Sequence, residues 1–203
     1  MIDHSLMLSE TLKDIKPSGI RKFFDLLADM GDVTALTVGQ PDFVTPWHIR
    51  EAAITSRERG QTYYTSNSGL PELRTEVSRY MKRRFDLDFD PSEVLITVGG
   101  SEAIDVAIRS LVNPGDEVII PMPSFVCYEP IVRMAGATPV IINTKSENGF
   151  KLTPDELSSA ITERTKLLVL PYTKLVCGNS TENPSILNWL SILEPVTTIA
   201  IQR

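Results

Sequence analysis

Between Val94 and Pro171, short apolar runs alternate with segments whose apolar residues recur at helical spacing. The predicted strands are 94–98, 117–121, 138–143 and 165–171, and the predicted helices are 101–112, 124–135 and a third that begins at Thr153. Strands that alternate with helices through short connections form a parallel sheet, since each helix returns the chain to the edge where the previous strand began. The sequence therefore predicts an α/β fold of three layers, with a mainly parallel sheet covered by helices on both faces.

Ligands of such sheets bind beyond the carboxyl ends of the strands. Three polar or glycine-rich stretches follow predicted strands, namely Gly99–Glu102, Pro121–Phe125 and Pro171–Tyr172. We expect these stretches to converge on one crevice.

The part of the chain before Val94 predicts three more helices and one more strand. The helices are 20–30, 45–59, with Thr45 as N-cap and Pro46 as first residue, and 70–85; the strand is 33–38. In the last of these helices the inward residues are Leu73, Val77, Tyr80 and Met81.

Composition excludes several classes of protein. The net charge of −6 argues against a nucleic-acid partner. The sequence has no apolar run of 18 residues, so no membrane span is predicted. The N-terminus lacks a basic region followed by an apolar core, so we expect a cytoplasmic protein without a secretory signal. Cys127 and Cys177 form no motif and are predicted to be free thiols, and with two histidines in the whole chain no metal site is predicted.

The stretch 94–105 combines an apolar run, the pair Gly99-Gly100, Ser101 and the start of a helix. The first N–H groups of a helix lack intrahelical acceptors and lie at the positive end of the helix dipole, so a turn of small residues there suits a phosphate. An ordinary strand-to-helix turn with Ser101 as N-cap accounts for the same residues. The turn alone favours the ordinary strand-to-helix turn, because glycine-containing loops are common at strand ends.

Four stretches in order supply a family resemblance: Leu36–Phe43, Tyr63–Arg74, Ile96–Ala103, and Asn113–Val118 followed by Pro121 and Pro123–Phe125. Together they resemble the fold type I, pyridoxal-phosphate-dependent aminotransferases of class I/II, from about residue 15 to Tyr172. The branch they are most similar to is the bacterial aspartate-aminotransferase-like group, some of whose members act on aromatic amino acids or on N-acetyl-diaminopimelate. The resemblance implies pyridoxal 5'-phosphate as cofactor and an amino acid and a 2-oxo acid as substrates.

The resemblance also implies roles for three residues near the cofactor. Gly100 and Ser101 would hold its phosphate through backbone N–H groups and the hydroxyl, and Phe125 would stack on the pyridine ring. Its position alone favours the interpretation of Phe125 as a core aromatic, since aromatic residues mostly pack.

Three further roles follow from the same resemblance. In a homodimer Tyr64 would reach the phosphate of the other subunit, Gly39 would approach the substrate carboxylate through its backbone, and Ile20 would lie near it. The simpler interpretations are a packed loop tyrosine for Tyr64 and a turn glycine for Gly39.

After Tyr172 the resemblance ends: Leu175 stands where the family has an asparagine that binds the cofactor, and nothing after Gly178 resembles the family. The predicted organisation is therefore an N-terminal arm with part of a small domain (1–45), an incomplete cofactor-binding large domain (46–172) and a non-family tail (173–203). The family's Schiff-base lysine, its carboxylate at the pyridine nitrogen and its substrate arginine have no counterpart here, so no catalytic residue is predicted. Lys166 and Lys174 are interpreted as surface lysines.

The abrupt change after Tyr172 has two explanations, a shifted reading frame near position 173, which it favours, or a fragment or shortened paralogue. Three functions stay open: an aminotransferase, a catalytically inactive remnant with at most weak phosphate binding, and a subunit completed by another chain. A parallel sheet cut at this point would lose strands and expose an edge, and the tail is apolar with almost no charge. We therefore expect poor solubility of the isolated chain.

Overall fold

The computed structural model describes residues 7–17, 19, 41–172 and 197–202; of 171–172 and 197–202 it describes the backbone alone. Helix 20–30, strand 33–38, Ile20 and Gly39 lie outside the described residues. The chain divides into two compact units, one made of 1–17 with 98–203 and the other of 18–97. We call them the sheet unit and the helical unit and describe each by itself.

The described part of the sheet unit contains four parallel strands in the order β2–β1–β3–β4. Their bounds are β1 Glu117–Met122, β2 Thr138–Asn143, β3 Thr165–Tyr172 and β4 Thr197–Gln202. Strands at 117–121, 138–143 and 165–171 are confirmed. The strand β4 pairs with β3 from Leu167 opposite Thr197 to Tyr172 opposite Gln202, so among the described strands β4 forms the edge on this side.

The described helices of the two units, in chain order, are α1 Glu10–Lys13, α2 Trp47–Glu58, α3 Pro71–Phe85, α4 Gly100–Leu111, α5 Tyr128–Met134 and α6 Pro154–Ala160. Two 3₁₀ turns lie at Pro91–Glu93 and Ser146–Asn148. None of these helices is long and apolar enough to cross a membrane.

Two apolar clusters cover opposite faces of the sheet, because successive side chains of a strand point to opposite sides. Val118 and Ile120 of β1 belong to a cluster with buried residues of α4 and α5. Ile119, between them, belongs to a second cluster that includes Leu157 of α6. The predicted α/β fold of three layers with a mainly parallel sheet is confirmed.

The strand order defines a switch point between β1 and β3. From β1 the chain crosses to β2 on one side, whereas the strand after β3 lies on the other side. Connections that leave two neighbouring strands in opposite directions open a crevice at their carboxyl ends. The carboxyl ends of β1 and β3 therefore flank the position where such a sheet binds its ligand.

Two further predicted elements need correction. Residues 94–98 form no strand, because a strand exists only beside a neighbour and no described segment forms a strand ladder with them; the single backbone bond from Ile96 N–H to Ser68 O is not a ladder. The helix predicted at 124–135 begins only at Tyr128, after a loop that is closed by the hydrogen bond from Tyr128 N–H to Phe125 O.

The helical unit differs from prediction at two helices. Pro46 has extended backbone (ψ 142°) and is itself the N-cap of α2, so Thr45 is not the cap. The helix α3 begins one residue later than predicted and ends at Phe85 as predicted, but the prediction of its inward face is wrong: Leu73 and Tyr80 are exposed, and Val77 and Met81 are only half-buried. Among the described helices and strands, the 3₁₀ turn Pro91–Glu93 is the main neighbour of α3, and it covers too little of that face.

Candidate functional site

The turn into α4 is set by the backbone of Gly99. Its φ of 82° and ψ of 170° are strongly unfavourable for residues with a side chain, and the helix begins directly after it at Gly100. Gly99 is therefore the N-cap, and the alternative that makes Ser101 the N-cap is wrong. A Cβ added to Gly99 or Gly100 meets no described atom within 4 Å, so the space beside the turn is open.

Ser101 is the second residue of α4 and is exposed. The N–H groups of Gly100, Ser101 and Glu102 belong to the first helical turn, where no intrahelical acceptor exists. Exposed N–H groups, a hydroxyl and the positive end of a helix dipole form a donor set that suits a dianion such as a phosphate.

The first turn of α4 lies at the carboxyl edge of the sheet. The connection from Leu111 to Glu117 is short, so α4 runs antiparallel to β1 against which it packs. The lengths match, since 12 helical residues rise about 18 Å and six strand residues about 20 Å. The start of α4 is therefore level with the end of β1, at the switch point.

Phe125 follows β1 at the same edge. Its ring is half-buried, packs against the cluster of α4 and α5, and makes an edge-to-face contact with Tyr128 at 5.8 Å and 82°. Both interpretations of Phe125 thus stay open, because the residue packs against the cluster and is still partly exposed. The length argument places Gly100 and Ser101 toward the same edge of the sheet unit as Phe125, and the role of these three residues in a site stays a prediction.

The loop that carries Phe125 is fastened to the next strand connection. Thr144 N–H and Thr144 Oγ1 both donate to the carbonyl oxygen of Met122, at 2.9 and 2.7 Å. Ser124 Oγ lies 3.1 Å from the Met122 sulfur. The sequence analysis does not predict this contact of Thr144, although a threonine directly after a predicted strand is a signal for it.

Tyr64 belongs to the helical unit and is fully exposed. Its predicted role toward a second subunit stays a prediction, and the predicted roles of Gly39 and Ile20 lie outside the described residues.

The motif Tyr63–Arg74 has a structural role within the helical unit. Arg74 Nε donates to Val94 O at 2.8 Å, and Ile96 N–H donates to Ser68 O at 3.0 Å. A Cβ on Gly69 would lie 2.5 Å from Ile96 Cγ1. These contacts fix the extended segment that leads to the Gly99 turn.

Among the described residues of the sheet unit, the two carboxyl groups with a displaced pKa are Glu117 and Glu156. The hydroxyl of Thr162, then the guanidinium of Arg164, lowers the pKa of buried Glu117, and the N–H of Thr153 lowers that of Glu156. Glu117 stands at the opposite, amino edge of the sheet. The described residues hold no cluster of three or more potential metal ligands.

The sequence profile of the family "Aminotransferase class I and II" matches residues 31–185. The chain belongs to this family. Because the match extends to residue 185, the family relationship reaches beyond the motifs that end at Tyr172.

Curated aminotransferases are close in sequence. The chain is 51% identical over 180 residues to the putative aminotransferase YugH of Bacillus subtilis, which covers 88% of this chain and 45% of that protein. It is 48% identical over 167 residues to the probable N-acetyl-LL-diaminopimelate aminotransferase of the same organism, covering 82% of this chain and 42% of that protein. The chain thus spans less than half the length of these relatives.

Solved aminotransferase structures share the fold. The Thermus thermophilus aspartate aminotransferase with maleate superposes with a TM-score of 0.83 and 34% identity, covering 96% of this chain and 53% of that chain. Pyrococcus protein-A1 gives a TM-score of 0.84 at 34% identity, covering 94% of this chain and 50% of that chain. The fold is therefore that of about half an aminotransferase chain.

The class I and II family is generally pyridoxal-phosphate-dependent. The donor set at the start of α4 fits the phosphate of this cofactor: it is exposed, rich in N–H groups, free of large side chains at Gly99 and Gly100, and carries the Ser101 hydroxyl.

Proposed function

We propose that this chain forms the phosphate-binding part of an aminotransferase, which moves an amino group from an amino acid to a 2-oxo acid with pyridoxal phosphate. The observation that carries the proposal is the open turn Gly99-Gly100-Ser101 at the start of α4, on the same sheet edge as Phe125. Membership of the class I and II family supplies the chemistry.

Each residue of the chain has a defined task in this proposal. The N–H groups of Gly100 and Ser101 and the Ser101 hydroxyl donate to the phosphate oxygens and anchor the cofactor. The accessible side of Phe125 lies along the pyridine ring, excludes water and fixes the plane of the ring. When bound, pyridoxal phosphate supplies the electron sink that the transfer of an amino group requires.

Several finer statements belong to the same proposal. We propose a cytoplasmic homodimer in which Tyr64 contributes to the phosphate site of the other subunit, with Gly39 and Ile20 near the substrate carboxylate. Relatives are named for aspartate, for aromatic amino acids and for N-acetyl-LL-diaminopimelate. These three amino donors are therefore the first to assay.

The first experiment measures binding of pyridoxal phosphate with competition by inorganic phosphate. Surface lysines also react with the aldehyde of the cofactor, but inorganic phosphate does not compete with that reaction. We expect Ser101→Ala to weaken phosphate-competed binding about tenfold, since it removes a hydrogen bond to a charged acceptor.

Ser110→Ala is the matched control on the same helix. Ser110 is exposed and its hydroxyl donates to Val106 O at 2.7 Å, so this variant should bind as the wild type does. Equal binding by both variants, or binding that phosphate does not displace, contradicts the proposed site. Phosphate-competed binding without amino transfer to any 2-oxo acid would support the inactive alternative.

A further inference from the structure

We propose that Glu102 is a positioning residue for the phosphate-binding turn. Its carboxylate oxygen Oε2 accepts a hydrogen bond from Val98 N–H, on the other side of the Gly99-Gly100 pair. The inference rests on the proposed function, because the turn that Glu102 fixes is the one assigned to the cofactor phosphate.

The contact is a capping interaction displaced by one residue. Glu102 is the third residue of α4, where a glutamate commonly reaches back to the N–H of the N-cap. Here it reaches the residue before the N-cap, so its side chain spans the whole turn. Gly99 carries no side chain that could do the same from the other end.

The contact matters because the backbone of this turn has much conformational freedom to lose. Two consecutive glycines have more backbone freedom to lose than any other pair, and the Val98 side chain is 90% exposed. A ligand that binds to an unfixed turn has to order it first, which lowers the affinity. The bond from Val98 to Glu102 orders the turn in advance.

The negative charge of Glu102 opposes phosphate binding, whereas the hydrogen bond that its side chain makes supports it. A carboxylate in the first helical turn is favourable in the absence of ligand, but a phosphate dianion bound beside it experiences like-charge repulsion. Glu102 therefore aids phosphate binding through the reach of its side chain and not through its charge. The two contributions are separable by substitution.

Three variants separate reach from charge. Glu102→Gln keeps the length and an acceptor oxygen without the charge, Glu102→Asp keeps the charge on a shorter side chain, and Glu102→Ala removes both. Glu129→Ala, at an exposed ion pair with Arg133 on α5, is the control. The measurements are the dissociation constants of pyridoxal phosphate and inorganic phosphate, hydrogen exchange of the Val98 amide, and thermal unfolding without ligand.

We expect Glu102→Gln to protect the Val98 amide and to bind phosphate at least as tightly as the wild type. The Asp and Ala variants should lose that protection and bind about fivefold more weakly, the effect of one hydrogen bond. Thermal unfolding shows whether each variant is folded, and rescue by glutamine excludes a merely destabilising substitution.

Other outcomes overturn the inference. If the Asp and Ala variants lose Val98 protection yet bind phosphate as the wild type does, or if Glu102→Gln binds as weakly as Glu102→Ala, Glu102 does not position the turn. If the wild type binds neither pyridoxal phosphate nor phosphate, the proposed function fails as well. If the wild type binds them but the variants behave in one of the ways just described, only the inference about Glu102 fails.

Discussion

Arg164 Nε lies 3.0 Å from Glu117 Oε1 and joins the turn before β3 to the first residue of β1. The backbone repeats this connection, since Glu117 N–H donates to Arg164 O at 2.8 Å. The other carboxylate oxygen accepts from the Thr162 hydroxyl at 2.6 Å. The Glu117 side chain is 7% exposed and that of Arg164 is 69% exposed. The carboxylate of Glu117 is therefore buried, and the guanidinium of Arg164 covers it on the solvent side.

Glu117→Gln should destabilise the protein by about 1–3 kcal/mol at pH 7, because charge-assisted hydrogen bonds of a buried group are lost. The lowered pKa of Glu117 adds a pH dependence. Its contribution is fully present above the ordinary glutamate pKa of about 4.3 and is lost as the pH falls through the lower pKa of the folded state. Urea unfolding at a series of pH values should therefore show a shallower acid loss in the variant.

The control for this substitution is Glu129→Gln, whose ion pair with Arg133 is 41% exposed on both sides. An exposed pair contributes less than about 1 kcal/mol, so this variant should unfold nearly as the wild type does. An equal effect of both substitutions would mean that enclosure of Glu117 is irrelevant to its contribution.

Gly69→Ala should destabilise the helical unit by about 3 kcal/mol or more, because strain and overlap act together. Gly69 has a φ of 98°, and the added Cβ would lie 2.5 Å from Ile96 Cγ1 and 2.6 Å from Ile96 Cβ. Gly60→Ala is the matched comparison: its φ is 69° but no described atom lies within 4 Å. Its cost should be about 1–2 kcal/mol, from conformation alone. Chemical denaturation of both variants checks this difference.

Arg74→Met should cost about 1–2 kcal/mol, since it keeps the apolar stem and leaves the carbonyl of Val94 without its donor. The comparison variant is Arg79→Met on the same helix, where the ion pair with Glu76 is about two-thirds exposed and should contribute little. Urea denaturation of both variants measures the two losses in the free energy of unfolding. If the two substitutions cost the same, the contact between Arg74 and Val94 does not fix the segment before the Gly99 turn.

Local patterns predicted the elements whose stability is local. The strands β1 to β3 are runs of β-branched and aliphatic residues, and α6 begins at the predicted cap, where Thr153 and Glu156 form a capping box. Segment 94–98 has a similar apolar composition and forms no strand. Composition indicates that a segment can pair, whereas the neighbour that it pairs with is a property of the whole fold.

The same reasoning explains β4. Thr197–Gln202 consists largely of β-branched residues, which is a strand signal, but it lies outside the family motifs on which the organisation of the chain is predicted. The motif at the end of segment 94–98 indicates Gly100 and Ser101 as candidates for a phosphate site, and that role stays a prediction. The contact of Glu102 with Val98 was not, although a glutamate three residues after an N-cap is its sequence signal.

Phe125→Leu separates the two interpretations of this aromatic residue. If the accessible side of the ring lies along the pyridine of the cofactor, the variant should bind pyridoxal phosphate about tenfold more weakly and inorganic phosphate unchanged, because only the former has a ring to stack. Loss of the edge-to-face contact with Tyr128 should also cost about 1 kcal/mol of stability. Phe89→Leu, in the loop after α3, should change neither affinity. An equal loss of affinity for both ligands would assign Phe125 to packing that supports the turn and not to the cofactor ring.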